Sequence, residues 1–367
     1  MAWSGQQEQA LKDVAQWVRN PGRKQVFRLF GFAGSGKSTL ALAISEIVKG
    51  RVCFGAYTGK AASVMRSKGC SDATTIHSMI YKPKLNEWGG VEFVRNEESP
   101  LDGAGLAIID ECSMVEKKIG NDLLSFRSPV LVLGDPAQLP PVSGQGFFTH
   151  GEGCEPNVML TEIHRQAAHN PIIHMATKVR MGEKLALGSY GESRVIERAQ
   201  LKPDDILASD QLIVGRNATR FAWNRRMREM RKYNADRPQP GEKLVCLRNS
   251  YHRGVFNGTI WKLEKIGSAK EFWNIWVRPF DELQGTDVVA LRVRKEFFVG
   301  REDELSDEDR RKTSEFTFGY ALTCHKAQGS QWSNVVVNDE SAVFRDDAKR
   351  WLYTALTRAS EKVTVVN

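Results

Sequence analysis

The chain has 367 residues, too many for one ordinary hydrophobic core, and its 41% apolar share supports globular folding into two to four units. Its 52 Lys and Arg against 44 Asp and Glu leave a net charge of +8, which suits a polyanion partner without naming one; solubility alone is the bland alternative. No run of about 18 apolar residues offers a membrane span, the first residues lack the basic and apolar regions of a secretion signal, and six scattered cysteines without a C-x-x-C spacing indicate neither a disulfide framework nor a zinc site. An intracellular, cytoplasmic protein is expected.

In chain order, Ser4 to Gln7 opens a helix that Asn20-Pro21-Gly22 stops. Gln7 has two readings: it closes a capping box with Ser4, or its amide binds an adenine edge. Residues 25–30 read as a strand and 39–48 as a helix. Between them Gly31, Gly36, Lys37 and Ser38 occupy every fixed position of G-x-x-x-x-G-K-[ST]. In that loop Gly34, Ser35, Gly36 and Thr39 surround a nucleotide's phosphates with backbone N–H groups, Lys37 neutralises the β- and γ-phosphates, and Ser38 offers its hydroxyl to Mg²⁺.

Residues 51–56 form a second strand that delivers Thr58 and Lys60 into a loop, where Thr58 is either an N-cap or, with Lys60, a contact to nucleic-acid phosphate. His77, opening another short helix, invites the same pair of readings. Residues 81–103 look like an inserted β-hairpin around Trp88-Gly89-Gly90. The apolar strand 106–109 ends in Asp110 and Glu111, an acidic pair suited to holding Mg²⁺ and polarising an attacking water. Strand 130–133 leads to Gln138, able to detect the γ-phosphate, and to Pro140. Residues 157–160 read as a strand with Arg165 beyond it. His164, His169 and His174 recur every five residues, a step that turns a helix by about 140° relative to its period, so they are read as non-ligands.

A second lobe is expected from residue 157, with a buried strand at 211–214 followed by a helix carrying Arg220, Arg225, Arg226, Arg228 and Arg231. Residues 241–318 alternate in short runs with an Asn257-Gly258 turn, predicting a small β-barrel with Trp261, Trp273 and Trp276 in its core. The acidic run 302–309 reads as a solvated loop. Thr323, His325, Lys326 and Gly329 follow the return to the lobe, and Arg358 is placed on a helix before a last strand.

In this order, the phosphate loop, residues 57–62, 110–114, 134–141, 163–166, 322–329 and 353–358 resemble the motif series of superfamily 1 DNA helicases, nearest the RecD-like and Dda-like branch that moves 5′ to 3′. The resemblance covers nearly the whole chain. It implies an α/β fold of two RecA-like lobes with parallel sheets: lobe 1 at 1–80 and 104–156 with a hairpin pin at 81–103, and lobe 2 at 157–240 and 319–367 with a barrel at 241–318. It also implies ATP and Mg²⁺ as cofactors, an adenine role for Gln7, a nucleotide contact at Gly329, and arginine fingers at Arg165 and Arg358 reaching the γ-phosphate from the other lobe.

By the same likeness Thr58, Lys60, His77, Pro140, Thr323, His325 and Lys326 become DNA contacts, and Trp88 or Phe93 separates strands. Single-stranded DNA and its junctions with duplex are the implied partners, replication or recombination proteins further ones, and a monomer is expected. Larger RecD-like proteins carry an N-terminal region that has no counterpart before this phosphate loop, and no nuclease constellation is found. Two other readings stay open: an ATP-gated DNA-binding subunit that needs partners to unwind, and an RNA-directed motor.

Overall fold

Short, mostly apolar runs make up all but one of the strands of the first sheet. These elements are seen in a computed structural model that describes residues 3–20, 22, 24–85, 91–142, 144–162, 170–234, 237–250, 253–280 and 287–367. The chain divides into two units, Met1–Arg180 and Met181–Asn367. In the first, the strands are β1 (Val26–Gly31), β2 (Val52–Ala56), β3 (Thr74–Thr75), the pair β4 (Tyr81–Leu85) and β5 (Val91–Arg95), β6 (Leu106–Asp110), β7 (Val130–Gly134) and β8 (Val158–Leu160).

Six of them form one sheet in the order β3-β2-β6-β7-β1-β8, every ladder parallel. A parallel sheet needs cover on both faces, and the alternation of its residues supplies two cores. Leu29, Ile108, Leu131 and Leu133 pack with Ala10, Val14, Leu40 and Ile44 of the helices Gly5–Arg19 and Lys37–Ile47. Their neighbours Phe30, Ile109, Val130 and Val132 pack on the opposite side with Ile76, Leu123 and Phe148.

One boundary moves. Residues 157–160 were expected to open the second lobe, yet β8 pairs with β1 from Leu29↔Val158 to Gly31↔Leu160. A three-residue apolar strand carries no mark of which sheet takes it, and here it completes the edge of the first, so the division falls at Arg180 rather than 156.

The hairpin β4–β5 is antiparallel from Tyr81↔Arg95 to Leu85↔Val91. Its base is tied down by the Tyr81 hydroxyl, which donates to Asp122, and by Arg95, which donates to the Ser125 carbonyl at 3.2 Å and lies over the Phe126 ring. Trp88 lies outside the described residues.

In the second unit, β9 (Gly188–Tyr190), β10 (Ser193–Ile196) and β11 (Gln211–Val214) precede an insertion of β12 (Lys243–Cys246), β13 (Ile260–Ser268), β14 (Phe272–Pro279), β15 (Val289–Arg294) and β16 (Phe316–Phe318). The chain then continues through β17 (Ala321–Thr323), β18 (Trp332–Asn338) and β19 (Ala359–Val366). The main sheet runs β17-β11-β18-β19-β10-β9 and is parallel except for β9. Asn224, buried on the helix Asn217–Met230, holds the returning strand: its Oδ1 accepts from the Tyr320 and Ala321 N–H groups at 2.9 and 3.0 Å.

The insertion forms an antiparallel sheet in the order β15-β14-β13-β12-β16. Among the described residues no ladder joins β15 to β16, so the expected barrel is an open ladder, with one parallel bridge, Val293↔Ser314, near the gap. Strand β16 is three residues long and passes at Gly319 into the main sheet, where a Cβ would press on the Leu244 backbone at 3.0 Å. Asn257 and Gly258 close a longer connection that folds on a Ser250↔Val255 bridge instead of a two-residue turn. Trp261 and Trp273 are buried as expected, whereas Trp276 lies on the other face of β14, half-buried under the Lys265 ammonium.

The basic helix is neutralised from within. Arg228 is buried against Glu242 at 2.7 Å, and Arg220 against Glu302 at 3.6 Å. Glu302 and Asp309, read from sequence as parts of a solvated loop, thus serve as counter-ions, Asp309 to Arg294 at 3.6 Å.

Candidate active site

The phosphate loop joins the C-terminal end of β1 to the helix Lys37–Ile47, and two glycines make the bend. Gly34 and Gly36 have φ of 81° and 80°, in the left-handed region that disfavours a side chain. Gly31 is required for another reason: a Cβ there would lie 2.5 Å from Ser35 Oγ and 2.9 Å from Leu160 Cβ. Ser35, buried, donates its hydroxyl to the Phe32 carbonyl at 2.8 Å, and the Thr39 N–H reaches the Gly36 carbonyl at 3.1 Å.

The Lys37 ammonium folds back over this loop, donating to the Gly31 and Phe32 carbonyls at 2.6 and 3.0 Å. Both acceptors are neutral, so a phosphate would compete for the charge on better terms. Ser38 Oγ lies 3.1 Å from Asp110 Oδ2, which brings the loop hydroxyl and the strand-end carboxylate together although 72 positions separate them. A hydroxyl and a carboxylate so placed match the one or two protein oxygens that Mg²⁺ takes while keeping the rest for water and phosphate.

Glu111 follows with φ 54° and ψ 42°, a left-handed conformation uncommon for a residue with a side chain, and its N–H is held by Asp110 Oδ1 at 2.8 Å. The strain re-aims the chain directly after the acidic pair and leads it into the short turn Cys112–Met114. Gln138 is buried, and among the described residues its Oε1 has no hydrogen-bond donor. Such an oxygen is filled by an incoming N–H or O–H, so it suits a water or a guanidinium; γ-phosphate detection would use the amide's NH₂ end.

Gln7 realises the capping reading. Its Oε1 accepts from the Ser4 N–H at 3.0 Å while Ser4 Oγ accepts from the Gln7 N–H at 3.4 Å, and its Nε2 donates to the Ser35 carbonyl at 3.1 Å. The amide offered to adenine is therefore engaged at both ends, fastening the first helix to the phosphate loop. Its neighbour Gln6, which the motif reading passed over, accepts from the Thr161 and Glu162 N–H groups at 2.8 and 3.0 Å, and so ties the same helix to the chain beyond β8. The doubled glutamine was the available signal.

Of the expected DNA contacts in this unit, Thr58 caps the helix Gly59–Ser67 by accepting from the Ala61 N–H at 3.1 Å, with Lys60 half-buried in the first turn. His77 packs edge-on against Tyr81 and against Phe93, with ring centroids 4.6 and 4.8 Å away, and burial, with the nearby Lys118 charge, lowers its pKa. Phe93 is 42% exposed, and the hairpin thus rests an exposed aromatic on the His77 ring. Pro140 is half-buried.

Within the second unit, Thr323 ends β17 and precedes the helical turn Cys324–Ala327, which carries His325 and Lys326. Burial lowers the pKa of both, and the Arg220 cation lowers that of Lys326 further. Gly329 takes φ 73°. Arg358 lies just past the helix Ala348–Leu356 rather than on it and is 5% exposed. Its Nε donates to the Thr354 carbonyl at 3.1 Å, Nη1 to the Ser330 carbonyl at 3.3 Å and Nη2 to Thr357 Oγ1 at 3.2 Å. Arg165 lies outside the described residues.

Residues 2–200 match the family model described as an AAA domain, and residues 318–366 the one described as a UvrD-like helicase C-terminal domain. The chain is 28% identical over 368 residues to the ATP-dependent RecD2 DNA helicase of Deinococcus radiodurans, covering 91% of this chain and 46% of that protein. It is 32% identical over 193 residues to the ATP-dependent DNA helicase dda of Enterobacteria phage T4, covering 48% of this chain and 42% of that one. The chain spans less than half the length of these curated relatives. The crystal structure of Bacteroides Pif1 bound to ssDNA shares its fold at TM-score 0.59, with 18% identity, over 99% of this chain and 92% of that one. The chain belongs to the AAA-domain family, and in sequence it resembles the superfamily 1 helicases RecD2 and dda.

Proposed function

We propose that the chain is an ATP-driven DNA helicase that moves 5′ to 3′ along single-stranded DNA and separates duplex ahead of it. The observation that carries this reading is the pairing of the Lys37 ammonium, parked on two neutral carbonyls, with a Ser38 hydroxyl 3.1 Å from Asp110. Loop N–H groups and Lys37 bind the phosphates of ATP; Ser38 and Asp110 would hold Mg²⁺, which would supply charge neutralisation to the phosphates. Glu111 orients and deprotonates the attacking water. Arg358, buried with no carboxylate partner among the described residues, provides positive charge to the transferring phosphoryl group when the nucleotide is engaged.

The strand is held by Thr58, Lys60 and Pro140 from the first unit and by Thr323, His325 and Lys326 from the second, chiefly through its backbone. The hairpin with Phe93 is the wedge on which a base stacks as the duplex opens, and the antiparallel insertion supports the strand or the wedge. The deciding experiment uses two otherwise identical duplexes, one with a 5′ and one with a 3′ single-stranded tail, and the purified chain with Mg·ATP. Unwinding of the 5′-tailed duplex alone is expected. Unwinding of the 3′-tailed one alone would keep the motor and refute the direction, whereas DNA-stimulated hydrolysis without unwinding would favour a subunit that needs partners. Single-stranded RNA matching DNA in stimulating hydrolysis would point to an RNA-directed motor.

A further inference from the structure

The boundary between the units falls in the last turn of the helix Pro171–Met181, and Arg180 is the first unit's last residue. Its guanidinium lies over the ring of Phe32, 3.6 Å from the centroid, close enough for a strong cation–π stack. Phe32 is not a peripheral partner. It follows Gly31 in the phosphate loop, and its carbonyl collects the Ser35 hydroxyl at 2.8 Å, the Ser35 N–H at 3.2 Å and the Lys37 ammonium at 3.0 Å. Its own N–H reaches the Leu160 carbonyl on β8 at 3.4 Å.

Phe32 therefore feels the loop's occupancy directly, because any phosphate that draws Lys37 away removes one of the three donors on its carbonyl. The other side of the same residue is capped by the guanidinium beyond which the chain crosses to the second unit. We infer that Arg180 is a positioning residue that couples the state of the phosphate loop, through Phe32, to the crossing segment that starts at Met181. The inference rests on the nucleotide-binding reading of the loop. A planar guanidinium suits this task better than an ammonium, since it stacks on a ring and keeps its in-plane donors for other groups.

The test is hydrogen exchange followed by mass spectrometry on the full chain, with and without Mg²⁺ and a non-hydrolysable ATP analogue, in wild type, Arg180→Ala and Phe32→Leu. In wild type the analogue should slow exchange both in residues 31–40 and in residues 176–186, the latter by about 10-fold. In Arg180→Ala and in Phe32→Leu the slowing in the loop should persist and that in 176–186 should fall to less than about 2-fold. Phe32→Leu breaks the stack from its other side, so the inference stays exposed even if one variant fails to fold. Persistence of the slowing in 176–186 in either folded variant would overturn it, as would a wild type protected at the loop alone. A wild type in which the analogue protects neither segment would overturn the nucleotide reading itself.

Discussion

The phosphate loop of the first unit and the helix Asn217–Met230 of the second are both rich in residues associated with anions, and they handle charge in opposite ways. On the helix, Arg228 is buried against Glu242, and Arg220 against Glu302. In the loop, Lys37 rests on two carbonyls, and no carboxylate among the described residues touches it. A buried cation that faces a carboxylate has spent its field within the fold, while one held by neutral acceptors keeps it for a ligand. Arg358 lies in the second unit but follows the loop's pattern, with two carbonyls and a hydroxyl around it. Counting arginines along a helix is thus a poor guide to a binding face.

The sharpest break of this contrast is Lys37→Ala. ATP hydrolysis should fall by roughly 10³-fold or more with the thermal transition unchanged, because the contacts it loses are replaceable by water. Normal turnover in a folded variant would remove the loop from the reaction. Next come the two arginines, which should fail differently. Arg228→Ala strands Glu242, 0% exposed, and should lower stability by about 3–5 kcal/mol in urea titrations. Arg358→Ala strands no carboxylate; it should leave most of the stability and lower kcat for ATP by on the order of 10³-fold, with Arg358→Lys no rescue. Equal stability losses in the two variants would dissolve the distinction.

Gln7 sharpens the comparison on a smaller scale, since it joins a purely local cap to the loop. Gln7→Ala should cost about 1 kcal/mol of stability and raise KM for ATP a few-fold. Gln7→Glu keeps the acceptor for the Ser4 N–H but loses the donor to the Ser35 carbonyl. Buried and set against the Ser35 carbonyl, the new carboxylate should lower stability at least as much as alanine does and leave KM raised, and a wild-type KM in that variant would show that the bond to the loop does nothing for nucleotide binding.

What was legible in the sequence follows from range. The phosphate loop, the Thr58 cap and the Ser4–Gln7 box are set by neighbours a few positions apart, and each forms at the positions that its pattern marks. Asp110 beside Ser38 was legible because two local motifs each fix their end of a parallel strand. Partner choice across the chain was not. Nothing in residues 158–160 says that they pair with β1, and nothing in the acidic run says that Glu302 faces Arg220. The stack of Arg180 on Phe32 joins positions whose local patterns are an ordinary helix end and an unspecified place in a motif.

Lys243 is the mildest test of how the second unit keeps charge. Placed between Glu242 and Leu244, it looks like the outward residue of an alternating strand, but it is buried, with its Nζ donating to the Asp210 carbonyl at 2.5 Å and to Gln211 Oε1 at 2.8 Å. Burial lowers its pKa to about 7, with Asp210 opposing and the Arg231 cation adding to the shift. Two acceptors suit a neutral amine, which has two N–H bonds to give. The unfolded chain holds this proton up to the ordinary lysine range and the folded one releases it near neutrality. Between those values the unfolded state binds more protons, so stability rises with pH from about 7 toward about 10. Urea melts at pH 7 and pH 9 should therefore show wild type gaining about 1–2 kcal/mol more across that interval than Lys243→Met, which has no proton to lose. Parallel changes in the two proteins would mean that Lys243 stays charged inside the fold, and that the second unit tolerates a buried cation without a carboxylate at a place where no ligand is expected.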